Sequence, residues 1–152
     1  MHADENDGGY KDRAGNRGTR ESMHSDKLTE IIIGCAYGVA NALGNGFLEK
    51  VYENALAHEL RKKGLLVEQQ RPISVQYDGV TVGEYLADLL VEAKVLVELK
   101  AVKQIEDIHK AQCINYLKVT GLEICLLINF GTPKVQIKRL MNSHPRADGA
   151  KG

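Results

Sequence analysis

Asp88, Glu98 and Lys100 are the residues whose types and spacing most readily do chemistry. Two short apolar runs, Ala87 to Val91 and Val95 to Lys100, flank the polar link Glu92-Ala93-Lys94, a pattern that predicts a hairpin. Folding it about Ala93 sets Asp88 opposite Glu98, since each lies five residues from that centre. Directly opposed side chains in an antiparallel pair have Cβ atoms roughly 4.5–5.5 Å apart, and like charges there are destabilising. A divalent cation between the two carboxylates would reverse the sign of that interaction. Lys100 lies two residues beyond Glu98 and projects from the same strand face. Two carboxylates and a lysine on one sheet face are the groups that metal-assisted cleavage of a phosphodiester needs.

A lone E-x-K is usually an ordinary solvated ion pair. Here the face of Asp88 and Glu98 also carries Leu90 and Leu96. The carboxylates are therefore expected to be partly buried, and buried charges need partners. A hard cation such as Mg²⁺, or Mn²⁺ in its place, takes oxygen ligands and keeps waters for reaction. It can polarise a phosphoryl oxygen and lower the pKa of bound water. Lys100 is then expected to orient that water or to stabilise charge in the transition state.

The elements that must position these residues follow from periodicity. Ser25 or Asp26 can cap a first helix, with Leu28, Ile31, Ile32, Cys35 and Val39 as its apolar stripe. Gly44-Asn45-Gly46 breaks it. A second helix is predicted from Phe47 to Lys63, with Phe47, Val51, Ala55, Leu56 and Leu60 facing inward and Gly64 ending it. Leu65 to Gln69, Ile73 to Tyr77 and Val80 to Leu86 read as strands, the last two joined by the turn pair Asp78-Gly79. Ile105 to Thr120 reads as a third helix, followed by strands at Ile124 to Phe130 and around Val135 to Arg139. The order implies an α/β fold, a mixed central sheet flanked by helices.

Composition bounds the rest. Residues 1–25 and 142–152 are rich in small, polar and charged residues and are expected to be disordered tails, leaving one domain over 26–141. Nothing resembles a transmembrane span or a signal peptide. The three cysteines sit far apart among apolar neighbours, which suits buried thiols in a cytoplasmic protein rather than a zinc or iron–sulfur site. Acidic and basic residues balance at 20 each, whereas tight passive nucleic-acid binders carry a basic excess. Lys94, Lys100, Lys103, Lys110 and Lys118 are the basic groups that could track a phosphate backbone, though Lys103, Lys110 and Lys118 are scattered and read mainly as a solvated face.

Asp88 followed by Glu98-Leu99-Lys100 resembles the D-(x)n-E-x-K signature of the PD-(D/E)xK nuclease superfamily, with Ala87 where a proline is usual. Gly46-Phe47-Leu48-Glu49-Lys50-Val51-Tyr52 is similar to the G-x-x-E-x-x-Y motif of the small bacterial GxxExxY family. That resemblance runs from about Leu28 to Met141 and includes Gly83-Glu84-Tyr85, Val97 to Val102 and Leu127 to Gly131. It departs at Val39-Ala40 and at Leu43-Gly44-Asn45-Gly46, where relatives commonly carry a histidine and a proline. Gln112 and Tyr116, four apart on one helix face, resemble the Q-x-x-x-Y motif of RecB-like nucleases.

The resemblance implies a restriction-endonuclease-like core and a Mg²⁺- or Mn²⁺-dependent nuclease acting on nucleic acid, with DNA as the expected substrate. Asp88, Glu98 and Glu49 would be its metal ligands, and these three with Lys100 its catalytic set. Tyr52, Gln112 and Tyr116 would bind substrate. Glu53 is a poorer candidate than Glu49, and His109 reads as an exposed helix residue. The alternative is a non-catalytic protein of the same fold that binds nucleic acid or a protein partner, with a homodimer open in either case.

Overall fold

The structure, a computed structural model, describes residues 24–144. Most of the two predicted tails lies outside the described residues, but Ser25 and Asn142 lie within them and are part of the fold. Helix α1 (Ser25–Leu43) starts after His24, which makes no side-chain cap bond. Ser25 and Asp26 are therefore not its cap. Ser25 donates to the Glu123 carboxylate, and Asp26 pairs with Arg139. At the other end Asn142 donates to the carbonyls of Leu117 and Leu122.

Helix α2 (Glu49–Lys62) is shorter than its apolar pattern predicts and is rotated. Phe47 and Val51 are exposed, while Tyr52, Glu53, Leu56, Ala57 and Leu60 face inward. The rotation follows from Tyr52, whose ring stacks on Phe130 with centroids 4.6 Å apart. An aromatic buries more area than a valine, and its choice of face decides the helix.

Strands β1 (Val67–Tyr77) and β2 (Val80–Val91) form a long hairpin around Asp78 and Gly79, both at positive φ. The sequence reads each as two shorter strands. In β1 the polar run Gln70-Arg71-Pro72 suggests a break, yet proline is tolerated on an edge strand, and β1 is one. Strand β3 (Val95–Lys100) pairs antiparallel with β2. Helix α3 (Asp107–Thr120) then crosses over to β4 (Ile124–Asn129), which runs parallel to β3, and β5 (Gln136–Met141) closes the sheet. The crossover is obligatory, because no tight turn can join parallel neighbours.

The sheet order is β1-β2-β3-β4-β5. Alternation along β2, β3 and β4 divides the core between two faces. Leu89, Val91, Val97, Leu99, Leu126 and Ile128 pack under α1 and α2, while Leu90, Leu96, Cys125 and Leu127 pack under α3. β3 and β4 are buried on both sides, as central strands of a covered sheet must be. The three cysteines are buried and form no disulfide. No helix among the described residues is long and apolar enough to cross a membrane.

Candidate active site

The β2–β3 ladder pairs Leu89 with Val97, Leu90 with Leu96 and Val91 with Val95. It is centred on Ala93, the register that the hairpin pattern predicts. One step further from the turn the backbone ladder stops and carboxylates replace it. The Asp88 N–H donates to Glu98 Oε2 at 2.8 Å, and the Leu99 N–H donates to Asp88 Oδ2 at 2.7 Å. Each acid thus sits against the other's strand. Asp88 is half-buried and Glu98 only 4% exposed.

Burial is costly for charge, and these groups show it. Burial first, and then the Asp88 carboxylate, push Glu98 up to about 8. Burial also raises Asp88, against the lowering effect of the Leu99 N–H and the Gln70 amide, with Glu53 and Glu49 adding to the rise. Such a pair holds a proton at neutral pH because its two acids are taken out of water side by side.

Lys100 ends β3, and its Nζ donates to Gln112 Oε1 at 3.4 Å. Gln112 Nε2 donates in turn to the Tyr116 hydroxyl at 2.9 Å. The helical spacing of four therefore builds a relay that holds the lysine from α3. Tyr116 is 4% exposed, and burial, followed by the Glu98 carboxylate, pushes its hydroxyl up to about 12. It remains neutral and accepts the Gln112 amide. Glu106 and His109 form a capping box at the start of the same helix, which accounts for His109.

From the opposite side comes α2. Glu49 is exposed in area, but its Oε2 accepts the Ala101 N–H at 3.3 Å, and its charge raises both Asp88 and Glu98. Tyr52 requires a correction. It is fully buried, so it cannot touch substrate from this position. Its hydroxyl donates to the Gly44 carbonyl at 2.6 Å and accepts the Phe47 N–H at 3.2 Å. Those bonds fix the loop that leads into Glu49, and Gly46 within it adopts φ 117°, open to glycine.

Two residues of the site escape the sequence reading. Glu53, the weaker candidate by motif, is 3% exposed and accepts from Lys50, Gln69 and Gln70. Gln70 bridges it to Asp88, donating to Glu53 Oε1 at 2.8 Å and to Asp88 Oδ1 at 3.2 Å. Gln70 stands at φ 55°, a conformation costing an L residue of order 1–3 kcal/mol. Only its register opposite Asp88, two strands from Glu98, could have signalled this.

The turn after Lys100 is locked by the neighbouring strand β4. Asn129, wholly buried, accepts from the Val102 N–H and donates to the Val102 carbonyl, while the Phe130 N–H donates to the Lys100 carbonyl. Gly131 passes so close that a Cβ there would overlap the backbone of Ala101 and Val102. The Asn129-Phe130-Gly131 run is thus explained by the loop it clamps.

The donor set fits a hard divalent cation, since Asp88, Glu98 and Glu49 offer oxygen alone. The cage is not drawn tight: among the described residues no three His, Cys, Asp or Glu side chains are gathered closely enough to hold an ion. Asp88 and Glu98 each give one oxygen to a backbone N–H, but a carboxylate has about four lone-pair sites and can serve both partners.

No curated protein matches the chain significantly. Among solved structures, an alkaline exonuclease from Laribacter hongkongensis has 15% identity and a TM-score of 0.47, over 62% of this chain and 56% of that one. The structure of SSO0001 has 16% identity and a TM-score of 0.47, over 81% of this chain and 60% of that one. The chain therefore spans little more than half the length of either neighbour. The model of the PD-(D/E)XK nuclease superfamily matches residues 26–140, and that match takes in Glu49, Asp88, Glu98, Lys100, Gln112 and Tyr116. The chain belongs to the PD-(D/E)XK nuclease superfamily.

Proposed function

We propose that this protein is a nuclease that hydrolyses DNA phosphodiester bonds with a divalent cation, Mg²⁺ or Mn²⁺. The observation that carries this reading is the Asp88–Glu98 pair, a half-buried and a buried carboxylate at the end of a ladder beside a tethered lysine. An inactive fold has no physical reason to keep a like-charge pair under burial. Within the superfamily, the Gly46, Glu49 and Tyr52 geometry supports placement in the GxxExxY group, and the Gln112–Tyr116 bond supports a RecB-like relay. Three buried cysteines outside any disulfide support a cytoplasmic setting.

Asp88, Glu98 and Glu49 are assigned to hold the ion. When bound, the ion supplies charge neutralisation at the phosphoryl oxygens and an acidified water. Lys100 cannot be a ligand. Its Nζ, aimed by Gln112, is placed to hydrogen-bond the attacking water or the phosphate as negative charge builds. Gln70 and Glu53 keep Asp88 turned toward Glu98, and Tyr52 keeps Glu49 in reach of the Ala101 turn.

A second reading, a non-catalytic protein of this fold that binds nucleic acid or a protein partner, is favoured by the balanced charge and the loose ligand cage. One experiment separates the two. Calorimetric titration of Mg²⁺ or Mn²⁺ into wild type and Asp88→Asn, with a DNA cleavage assay on both, should show binding and cleavage in wild type alone. Metal binding without cleavage of any DNA or RNA substrate would favour the second reading.

A further inference from the structure

Beside Lys100 opens a cleft of about 680 Å³, walled on one side by α3 and on the other by the β1–β2 hairpin. The α3 wall is partly apolar, carrying Ala111, Val119 and the exposed side chain of Ile108. Its chemistry differs from that of the chain as a whole. Acids and bases balance overall, yet Lys100 and Lys118 line this cleft and no carboxylate does. Tyr85 stands on its hairpin wall, half exposed, with its ring 5.8 Å from that of Tyr116 at 50°. Tyr116 itself is buried and held by Gln112, so it backs Tyr85. Asn115, exposed on α3, brings an amide able to donate and accept. His109 accepts the Glu106 N–H through Nδ1, which leaves its ring proton on Nε2.

We infer that this cleft takes an unpaired nucleotide of the substrate strand, its base on Tyr85 and its phosphates toward Lys118 and Lys100. The inference rests on the nuclease reading, because the cleft is continuous with the proposed catalytic set through Lys100 and Gln112. Charge alone would serve a duplex backbone equally well. The half-exposed aromatic and the apolar side chains of the α3 wall are what a duplex cannot use, since its bases are stacked on one another. An unpaired base covers that apolar surface with its π-face, whatever its identity. Asn115 can add a contact to a base edge. The protein would therefore act on single strands, frayed ends or flaps in preference to intact duplex.

The test is fluorescence anisotropy, without divalent ions, of a labelled oligothymidylate about a dozen nucleotides long and of a duplex of similar length. Wild type should bind the single strand more tightly than the duplex. Tyr85→Ala should weaken single-strand binding about tenfold and leave duplex binding alone, in line with the loss of one stacked base. Lys118→Glu should weaken both, with a shallower salt dependence. Both side chains are exposed, and an unchanged melting temperature would confirm folding. Equal single-strand affinity in wild type and Tyr85→Ala, or tighter binding of the duplex, would overturn the inference. Asp88→Asn separates the two proposals. A variant that binds the single strand as wild type does, beside a wild type that fails to cleave it with Mg²⁺, sinks the nuclease reading and supports the cleft. Cleavage by wild type that is indifferent to Tyr85→Ala does the reverse.

Discussion

The two ends of the β2–β3 hairpin obey opposite rules. At the closed end, Val91 pairs with Val95 and Leu90 with Leu96 in a dry ladder. The turn there is strained, with Glu92 and Ala93 both at positive φ and neither a glycine. It is held by its neighbours: the Glu92 N–H donates to the Leu66 carbonyl, and the Glu92 carboxylate accepts the Leu66 N–H at 2.6 Å. At the open end, the ladder gives way to Asp88 and Glu98, each accepting a backbone N–H from the other strand. Regular pairing stabilises the fold and exposes no chemistry. Interrupted pairing costs stability and leaves two acids, one half-buried and one buried, at the end of the ladder. The same hairpin holds both, and its leucines link them.

The sharpest way to break that contrast is Lys100→Ala, which should leave the fold intact and remove activity. Loss of one positioned electrostatic group costs roughly 10²–10³ in rate. Single-turnover cleavage should show that loss, while calorimetry shows Mn²⁺ binding close to wild type. Equal cleavage by wild type and Lys100→Ala would point to a contaminating nuclease and would remove Lys100 from the catalytic set.

Much of this was legible in the sequence. The symmetric spacing of Asp88 and Glu98 about Ala93 gave the register, because the polar link centres the turn there and a one-residue slip would send Leu90 and Leu96 to opposite faces. The helix ends at Gly121 and the turn at Asp78-Gly79 were readable from local conformational preference. What could not be read depends on contacts distant in sequence. The face of α2 is set by Phe130, some eighty residues away, so Val51 looked like core and Glu53 like surface. Gln70 has no local signature, since its role follows from a positive φ at a position the β1–β2 ladder leaves unpaired, opposite Asp88. Tyr52 was visible as a motif letter but not as a loop clamp.

The next effect separates the ends by pH. Glu98 rises from the ordinary 4.5 of a glutamate to about 8. Between those values the folded protein holds a proton that the unfolded chain has released. Its stability should therefore fall as pH rises, by at most about 1.4 kcal/mol per pH unit from this group. Below the lower value the contribution is constant; above the upper one the loss is complete. A cation replacing the proton should reverse the trend. Saturating Mg²⁺, at about 100 times its Kd, adds about 2.7 kcal/mol. The gain in melting temperature should be larger near about pH 8.5 than near about pH 5.5, because proton and metal compete for one pair. Glu98→Gln should flatten the pH profile and remove the Mg²⁺ shift together. A Mg²⁺ shift that does not vary with pH would mean that the ion binds elsewhere.

Smaller is the expected effect of Tyr52→Phe, which keeps the ring on Phe130 and deletes only the hydroxyl. The Gly44 carbonyl and the Phe47 N–H lose a shared partner, at a cost of about 1–2 kcal/mol. Urea denaturation should show that loss with an unchanged slope, and cleavage should fall only modestly as Glu49 loosens. A change in substrate affinity at unchanged stability would instead return Tyr52 to the substrate-binding role that its burial argues against.

The smallest change tests the closed end alone. Ala93→Gly relieves one of the two positive-φ residues in the turn, and Ala93 is exposed, so no packing is lost. Glycine adopts that backbone without the steric penalty of a Cβ, and its greater freedom in the unfolded chain takes back part of the gain. A net stabilisation of about 0.5–1 kcal/mol is expected, read from the urea midpoint. Glu92→Gly, though it relieves the same strain next door, should destabilise, since it removes the carboxylate that holds the Leu66 N–H. Cleavage should be unaltered in Ala93→Gly, because Leu89, Leu90 and Val91 and their partners still set the register of the acids. If Ala93→Gly stabilised the fold yet lowered cleavage, the strained turn would be acting on the carboxylate pair through the ladder, and the two ends would not be independent.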